Sequence, residues 1–249
     1  MNLRSPIKNL AWASLLALVS TFTFAKEESL ARVYTMYVDY ADQPAFEQAF
    51  KKHVKWRKDA GDPWTWNVYQ VVDGKSIGAY LVRSGNHTWA DLDAAEAFGP
   101  KASSNWRSGP SQYLKGVNMM MTSTWGDAVN WPEENFNPKF YQIVKYRVHI
   151  GKMQQMRDAA KDIHKAIVDT KWPMKYAFVQ TESGGSGNTV RLVLPYETWT
   201  AMEAPEMKFM DMLTKAYGKE KAEAVLANWI GSIKSSTSYM LRARPDMTN

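Results

Sequence analysis

His53 is the residue whose position in the sequence is best suited to catalysis. It stands among Phe46, Ala49, Phe50 and Val54, and this spacing by three and four predicts the apolar face of an amphipathic helix. An imidazole on such a face would border an apolar pocket and could act as an acid, a base or a hydrogen-bond donor. The alternative interpretation is a core histidine bonded to one backbone group. His53 is therefore the candidate catalytic residue.

Aromatic side chains are abundant and supply the candidate binding site. The chain contains 11 tryptophans and 12 tyrosines, and rings of this size are either buried or line a cleft. In the first half, we expect Tyr34, Trp66 and Tyr69 to converge with His53 on one pocket for a small apolar or aromatic molecule. The second half offers another candidate set, which consists of His164, Tyr176 and Arg191.

The spacing of residues does not favour metal or nucleotide chemistry. The four histidines show no H-E-x-x-H or H-x-E-x-H pattern and the chain has no cysteine, so a tetrahedral zinc site would need ligands from distant segments. The stretch "ESGGSG" (182–187) falls between two predicted strands, whereas a phosphate-binding loop opens a helix. The sequence therefore predicts no metal site and no cofactor.

Positive charge is spread along the chain. The formal net charge is +6, and the dense basic run "KKHVKWRK" (51–58) lies on the helix whose other face is apolar. A nucleic-acid-binding protein usually concentrates its cations on one face. The run is instead typical of a solvated helix surface, and we expect no nucleic-acid partner.

The first 25 residues have the pattern of an export signal. Arg4 and Lys8 precede the apolar run from Leu10 to Phe24, and Thr23 and Ala25 suit a small-residue cleavage site. The run of 15 residues is shorter than the roughly 20 that a membrane-spanning helix needs. We therefore expect cleavage after Ala25, no membrane association after cleavage, and a periplasmic or secreted protein.

The two halves of the remaining chain resemble each other. An offset of 107 pairs Tyr34 with Tyr141, and after three extra residues in the second half an offset of 110 pairs Trp89 with Trp199. Each half reads as strand, helix, two strands around a glycine-bearing turn, helix and strand. The order of elements is thus βαββαβ twice.

This order predicts a first repeat over residues 26–126, a linker over 127–138 and a second repeat over 139–249, with a longer helical arm in the second repeat. Two such repeats, with their duplicated Thr-Trp and Asn-Trp pairs, resemble tandem members of the dimeric α/β-barrel superfamily. The resemblance implies an α+β fold in which two ferredoxin-like repeats pack sheet to sheet as an internal barrel. One repeat alone would leave an apolar sheet face in water.

The resemblance points to two kinds of chemistry. Chlorite dismutase-like members hold haem through a histidine that follows the second strand of the second repeat, but the matching stretch "KYAFVQTESGG" (175–185) contains none. Antibiotic-biosynthesis monooxygenase-like members oxidise electron-rich aromatic substrates without a bound cofactor. In a protein of that kind His53 would act as the base.

The sequence favours an exported protein that binds a small apolar or aromatic molecule in a cleft between sheet and helices. One alternative is a cofactor-independent monooxygenase-like or isomerase-like enzyme. Another is a structural or partner-binding protein whose clefts are filled by its own side chains. The expected partners are the small molecule and a second copy of the chain in a homodimer.

Overall fold

Eight antiparallel strands close into one barrel. The computed structural model describes residues 29–131, 136 and 138–249, so the predicted export signal lies outside the described residues. The strands are β1 (Leu30–Val38), β2 (Asn67–Val71), β3 (Tyr80–His87), β4 (Leu114–Asn130), β5 (Phe140–Val148), β6 (Tyr176–Ser183), β7 (Thr189–Tyr196) and β8 (Ile233–Ala243). They follow one another around the barrel as β1-β3-β2-β8-β5-β7-β6-β4.

Six α-helices occur within the described ranges. They are α1 (Gln43–Asp59), α2 (Trp89–Glu96), α3 (Gly99–Ser108), α4 (Met153–Thr170), α5 (Phe209–Tyr217) and α6 (Lys219–Ser232). The buried residues of α1 and α4 are mostly apolar and recur every three or four positions, as expected for helices that cover a sheet. None of the described helices is long and apolar enough to span a membrane.

Each half of the chain contributes four adjacent strands, in the order β4-β1-β3-β2 and β8-β5-β7-β6. The halves join by antiparallel pairing of β2 with β8 and of β4 with β6. The α+β class and the barrel expected from the sequence are thus observed. Successive side chains of a strand point to opposite faces, so one set faces the barrel interior and the other faces the helices.

The two halves exchange buried side chains. Trp125, from the last strand of the first half, is fully buried in the apolar cluster around α4, α5 and α6. Its indole Nε1 donates to Gln180 at 3.0 Å. In return, Met247 is buried in the cluster beneath α1, and Arg244 holds Glu47 of α1 through two bonds of 2.5 and 2.6 Å. Each core therefore depends on residues from the other half.

The observed elements correct the sequence offset. β1 and β5 begin at Leu30 and Phe140, a separation of 110 residues, and α1 and α4 begin 110 residues apart as well. The offset of 107 is therefore wrong by three residues. An error of three residues places a side chain on the opposite face of a strand. Tyr34 packs under the helices, whereas Tyr141 lies against Tyr69 inside the barrel. The inferred three-residue insertion is not needed.

Two local expectations also change. β4 continues to Asn130 and pairs there with Tyr176, so the first four residues of the predicted linker lie in a strand. A helix was expected after both Thr88 and Thr198. Thr88 does cap α2 together with Asp91, but Thr198 leads only into a short 3-10 turn, and α5 begins at Phe209.

Candidate functional site

The interior of the barrel forms a cavity of about 1540 Å³. All eight strands contribute side chains to its wall. The wall combines apolar side chains such as Val33, Val179 and Leu241 with hydroxyl and amide groups such as Thr35 and Asn118. The barrel is therefore hollow, and the wall can contact both apolar and polar parts of a ligand.

Four tyrosines line this cavity, namely Tyr37, Tyr69, Tyr141 and Tyr239. The rings of Tyr69 and Tyr141 meet edge to face with their centres 5.0 Å apart, and Trp131 stacks beside Tyr141 at the wall. Burial raises the pKa of Tyr69, Tyr141 and Tyr239. These phenols therefore stay neutral at pH 7 and can donate hydrogen bonds into the cavity.

Lys75 and Arg147 line the cavity but are exposed, whereas the other three cationic side chains of its described wall, Arg83, Lys145 and Arg191, are half-buried. Burial lowers the pKa of each of these three groups, because the charged form loses water. The Arg83 guanidinium lies over Gly85, where a Cβ atom would come within 2.3 Å of it. Gly85 thus provides the space that Arg83 occupies.

Lys145 and Arg191 occupy directly paired positions on β5 and β7. The guanidinium Nη1 of Arg191 donates to Thr181 Oγ1 at 2.8 Å, and Tyr239 lies close enough to raise the pKa of Arg191 against the effect of burial. Arg191 is therefore held in place by neutral partners.

His53 lies outside the barrel, between α1 and α3. The residue is 5% exposed, and its ring stacks on Trp56 with centres 5.9 Å apart and meets Trp106 edge to face at 5.2 Å. Its Nδ1 is 2.7 Å from Asn105 Oδ1. An amide oxygen can only accept, so Nδ1 carries the proton and Nε2 remains basic.

A small cavity of about 290 Å³ opens beside His53 and is lined mainly by polar residues such as Gln48, Lys52 and Gln112. Burial lowers the pKa of His53, and the hydrogen bond with Asn105 only partly opposes this shift. The imidazole is therefore neutral at pH 7. A neutral, oriented imidazole beside a small cavity could accept a proton from a bound molecule.

The four residues expected to form one pocket in the first half are divided by the sheet. Tyr34 and Trp66 lie on the helix-covered face, with ring centres 6.0 Å apart, and His53 also lies on that side. Tyr69 points to the opposite face and lines the barrel interior. The predicted convergence on a single pocket is therefore wrong, because one member stands on the other side of the strands.

The second set is divided in the same way. His164 Nδ1 is 2.8 Å from the Tyr176 hydroxyl under α4, and burial lowers the pKa of His164. Arg191 faces the interior. Of all the candidate residues, only Tyr69 and Arg191 line the large cavity.

Sequence reasoning missed several cavity residues, namely Arg83, Tyr141, Lys145 and Tyr239. The sequence did contain a pattern that indicates the inward face of β5. Tyr141, Ile143 and Lys145 occupy every second position of this strand, so they share a face. The offset of 107 concealed this alternation by pairing Tyr141 with Tyr34. Asn105, the partner of His53, could not be found from local spacing because it lies 52 residues away.

No protein-family model matches the chain, and no curated protein matches it in sequence. Solved structures do match in shape. A candidate monooxygenase from Lactobacillus acidophilus NCFM aligns with a TM-score of 0.57 and 10% identity, over 89% of this chain and 96% of that one. An anthrone oxidase-like protein aligns with a TM-score of 0.54 and 12% identity, over 90% and 94% of the two chains.

A chlorite dismutase variant from Candidatus Nitrospira defluvii also aligns, with a TM-score of 0.54 and 7% identity, over 88% of this chain and 93% of that one. Identities this low bear on the fold and not on the activity. The chain has the dimeric α/β-barrel fold.

The residues present do not fit haem held in the manner that the resemblance implied. The segment from Tyr176 to Gly185 has no histidine, and His164 is bonded to the Tyr176 hydroxyl. Buried Trp125, Met156 and Phe178 belong to the apolar cluster between α4 and the barrel. In the described part of the chain, no group of three or more histidine, aspartate and glutamate side chains is arranged to hold a metal ion.

Proposed function

We propose that the protein binds a small molecule with an aromatic or apolar body inside the barrel. The observation that carries this proposal is the cavity of about 1540 Å³, since small-molecule sites are concave, mostly apolar and provided with a few polar groups. This location replaces the cleft between sheet and helices, where apolar clusters occupy the space. Tyr69 and Tyr141 would contact the rings of the ligand.

The probe 2-naphthol tests this proposal by calorimetric titration. Val179 lines the cavity, so Val179→Trp fills part of the interior and is expected to weaken binding at least about tenfold, a loss of roughly 1.4 kcal/mol. Val168→Trp is the matched control, because Val168 is exposed on α4. Unchanged binding in a folded Val179→Trp protein, or equal loss in both variants, contradicts a site inside the barrel.

The second candidate function is cofactor-independent oxidation of an aromatic substrate beside His53. Two observations favour it: solved structures of this fold include a candidate monooxygenase and an anthrone oxidase-like protein, and His53 presents a basic nitrogen beside a cavity. Asn105 orients the ring, and His53 would take the acidic proton of the substrate. Dissolved O2 would then oxidise the resulting carbanion, with one oxygen atom entering the substrate as a carbonyl and the other leaving as water. Isomerisation by the same base belongs to this candidate.

Oxygen uptake with anthrone as the probe tests the second candidate. His53→Ala should abolish the uptake, and Asn105→Ala should reduce it while moving its pH optimum, because Nδ1 loses its partner. His149→Ala is the control, since His149 is exposed. Uptake that is absent in the wild-type protein, or retained in His53→Ala, removes this candidate.

We further propose that the barrel consists of two ferredoxin-like repeats and that the chain is exported, with cleavage after Ala25. The equal strand order of the halves supports the repeats. Arg4, Lys8 and the apolar run that follows support export to the periplasm or the medium. Sequencing the amino terminus of the exported protein tests this, and an intact Met1 would refute it.

A homodimer is also proposed. Val117 and Met119 are exposed at alternate positions of β4, so they share one outer face and could be covered by a second copy. Light scattering of Val117→Lys gives the test. Dimers that become monomers support this surface, and a monomeric wild-type protein refutes the proposal.

A further inference from the structure

Lys145 and Arg191 carry the same charge at directly opposed positions of two neighbouring strands. Their Cα atoms are register partners in the β5–β7 pair, and both side chains line the cavity. Opposed like charges destabilise an antiparallel sheet, and the interior of a barrel screens them less than water does. The fold therefore keeps an arrangement that is unfavourable in the absence of a partner.

The described part of the cavity wall contains one acidic residue, Asp73. Its carboxylate already accepts a bond of 2.6 Å from the backbone N–H of Met240. No ion pair joins Lys145 or Arg191 to a described acidic side chain, and Thr181, the partner of Arg191, is neutral. Burial lowers the pKa of Lys145, and the charges of Arg191 and Arg147 lower it further.

We propose that Lys145 and Arg191 form an oxyanion site, which binds the carboxylate or phosphate group of the molecule held in the barrel. This inference rests on the proposed function, and it adds the chemical class of the ligand. An oxyanion between the two cations removes their repulsion and makes charge-assisted hydrogen bonds in a place with little water. The contact between Arg191 Nη1 and Thr181 fixes the guanidinium before the ligand arrives.

Arg83 adds positive potential from the other half of the chain. In the described structure its guanidinium has no ion-pair partner, and the polar neighbours that influence its pKa are the phenols Tyr69 and Tyr141. The body of a ligand with its acidic group at Lys145 and Arg191 would lie against the rest of the cavity wall, which includes these tyrosines. The proposed ligand is an aromatic acid or an aromatic phosphate ester.

Matched probes separate this inference from the proposed function. Calorimetry compares 2-naphthoate, 2-naphthamide and 2-naphthyl phosphate, which share a ring system and differ in charge. We expect at least one anion to bind the wild-type protein about tenfold more tightly than the amide, which corresponds to one charge-assisted bond. The tighter of the two anions identifies the group as carboxylate or phosphate.

Arg191→Gln and Lys145→Gln should each reduce the preference for the anion to less than about threefold, since each removes one charge. Lys234→Gln is the matched control, because Lys234 lies on β8 and is exposed. Circular dichroism checks folding, and Lys145→Met replaces Lys145→Gln if the latter does not fold.

The possible results lead to different conclusions. Equal binding of amide and anions overturns the oxyanion site and leaves the cavity proposal standing. Failure of all three probes and of 2-naphthol overturns the cavity proposal itself. A preference for the anion that survives in Arg191→Gln and Lys145→Gln places the anion elsewhere and overturns the assignment.

Discussion

At the scale of single residues, the opposed cations on β5 and β7 should limit the stability of the ligand-free protein. Lys145→Met keeps a long side chain and removes one charge, so we expect the free energy of unfolding to rise by about 0.2 to 1 kcal/mol, the range for opposed pairs in sheets. Urea denaturation measures the change, and Lys234→Met, at an exposed position, should alter it much less. A loss of stability in Lys145→Met would mean that Lys145 makes stabilising contacts with the wall.

At the scale of elements, the junction of β6 with β4 depends on Gly184. Its φ is +72°, and a Cβ atom there would lie 2.2 Å from the backbone oxygen of Met119. Gly184→Ala should therefore cost more than about 2 kcal/mol, from the left-handed conformation and from the displacement of β4. Gly187→Ala in the same hairpin is the control, since nothing lies within 4 Å of its added Cβ. Equal unfolding midpoints for the two variants in urea would contradict this account of the junction.

The elements also show how much of the fold and of the candidate site the sequence predicts. The types of the elements and the buried face of α1 were predictable, because periods of 3.6 and 2 are local properties. The side of the sheet on which a tyrosine lies was not recovered, since an alignment error of three residues reverses the faces of a strand. The contact of His53 with Asn105 depends on how α3 packs against α1, and the insertion of Trp125 into the other half depends on closure of the barrel. Local patterns encode neither.

At the scale of the whole molecule, buried histidines should make stability depend on pH. Burial lowers the pKa of His53, His87 and His164, whereas the unfolded chain titrates near about 6.5. The unfolded state then binds more protons below that pH, so stability is complete above about 6.5 and falls as the pH drops towards 5. Urea denaturation at pH 7.5, 6 and 5 measures this loss, which His53→Asn should reduce. His149→Asn, at an exposed position, should leave it unchanged.

A second loss is expected at lower pH. The hydrogen bonds from Arg244 lower the pKa of Glu47, so the stability that this carboxylate contributes is present above about pH 4.5 and is lost as the pH falls further. Glu47→Gln should therefore lower the free energy of unfolding throughout the range above about pH 4.5 and remove the further loss below it. For the histidines, the contradicting result is a free energy of unfolding of the wild-type protein that stays constant from pH 7.5 to 5.

The exchange of side chains between the halves should make residues 26–249 unfold as one cooperative unit. Trp125 of the first half is fully buried in the second core, and Met247 of the second half is buried in the first. Trp125→Ala should cost about 3 to 5 kcal/mol. Because the cores are shared, hydrogen exchange in α1 should accelerate as much as exchange in α4, although Trp125 packs only in the cluster around α4. Faster exchange in α4 with unchanged protection of α1 would mean that the halves unfold independently, and the strand pairs β2–β8 and β4–β6 would then not couple them.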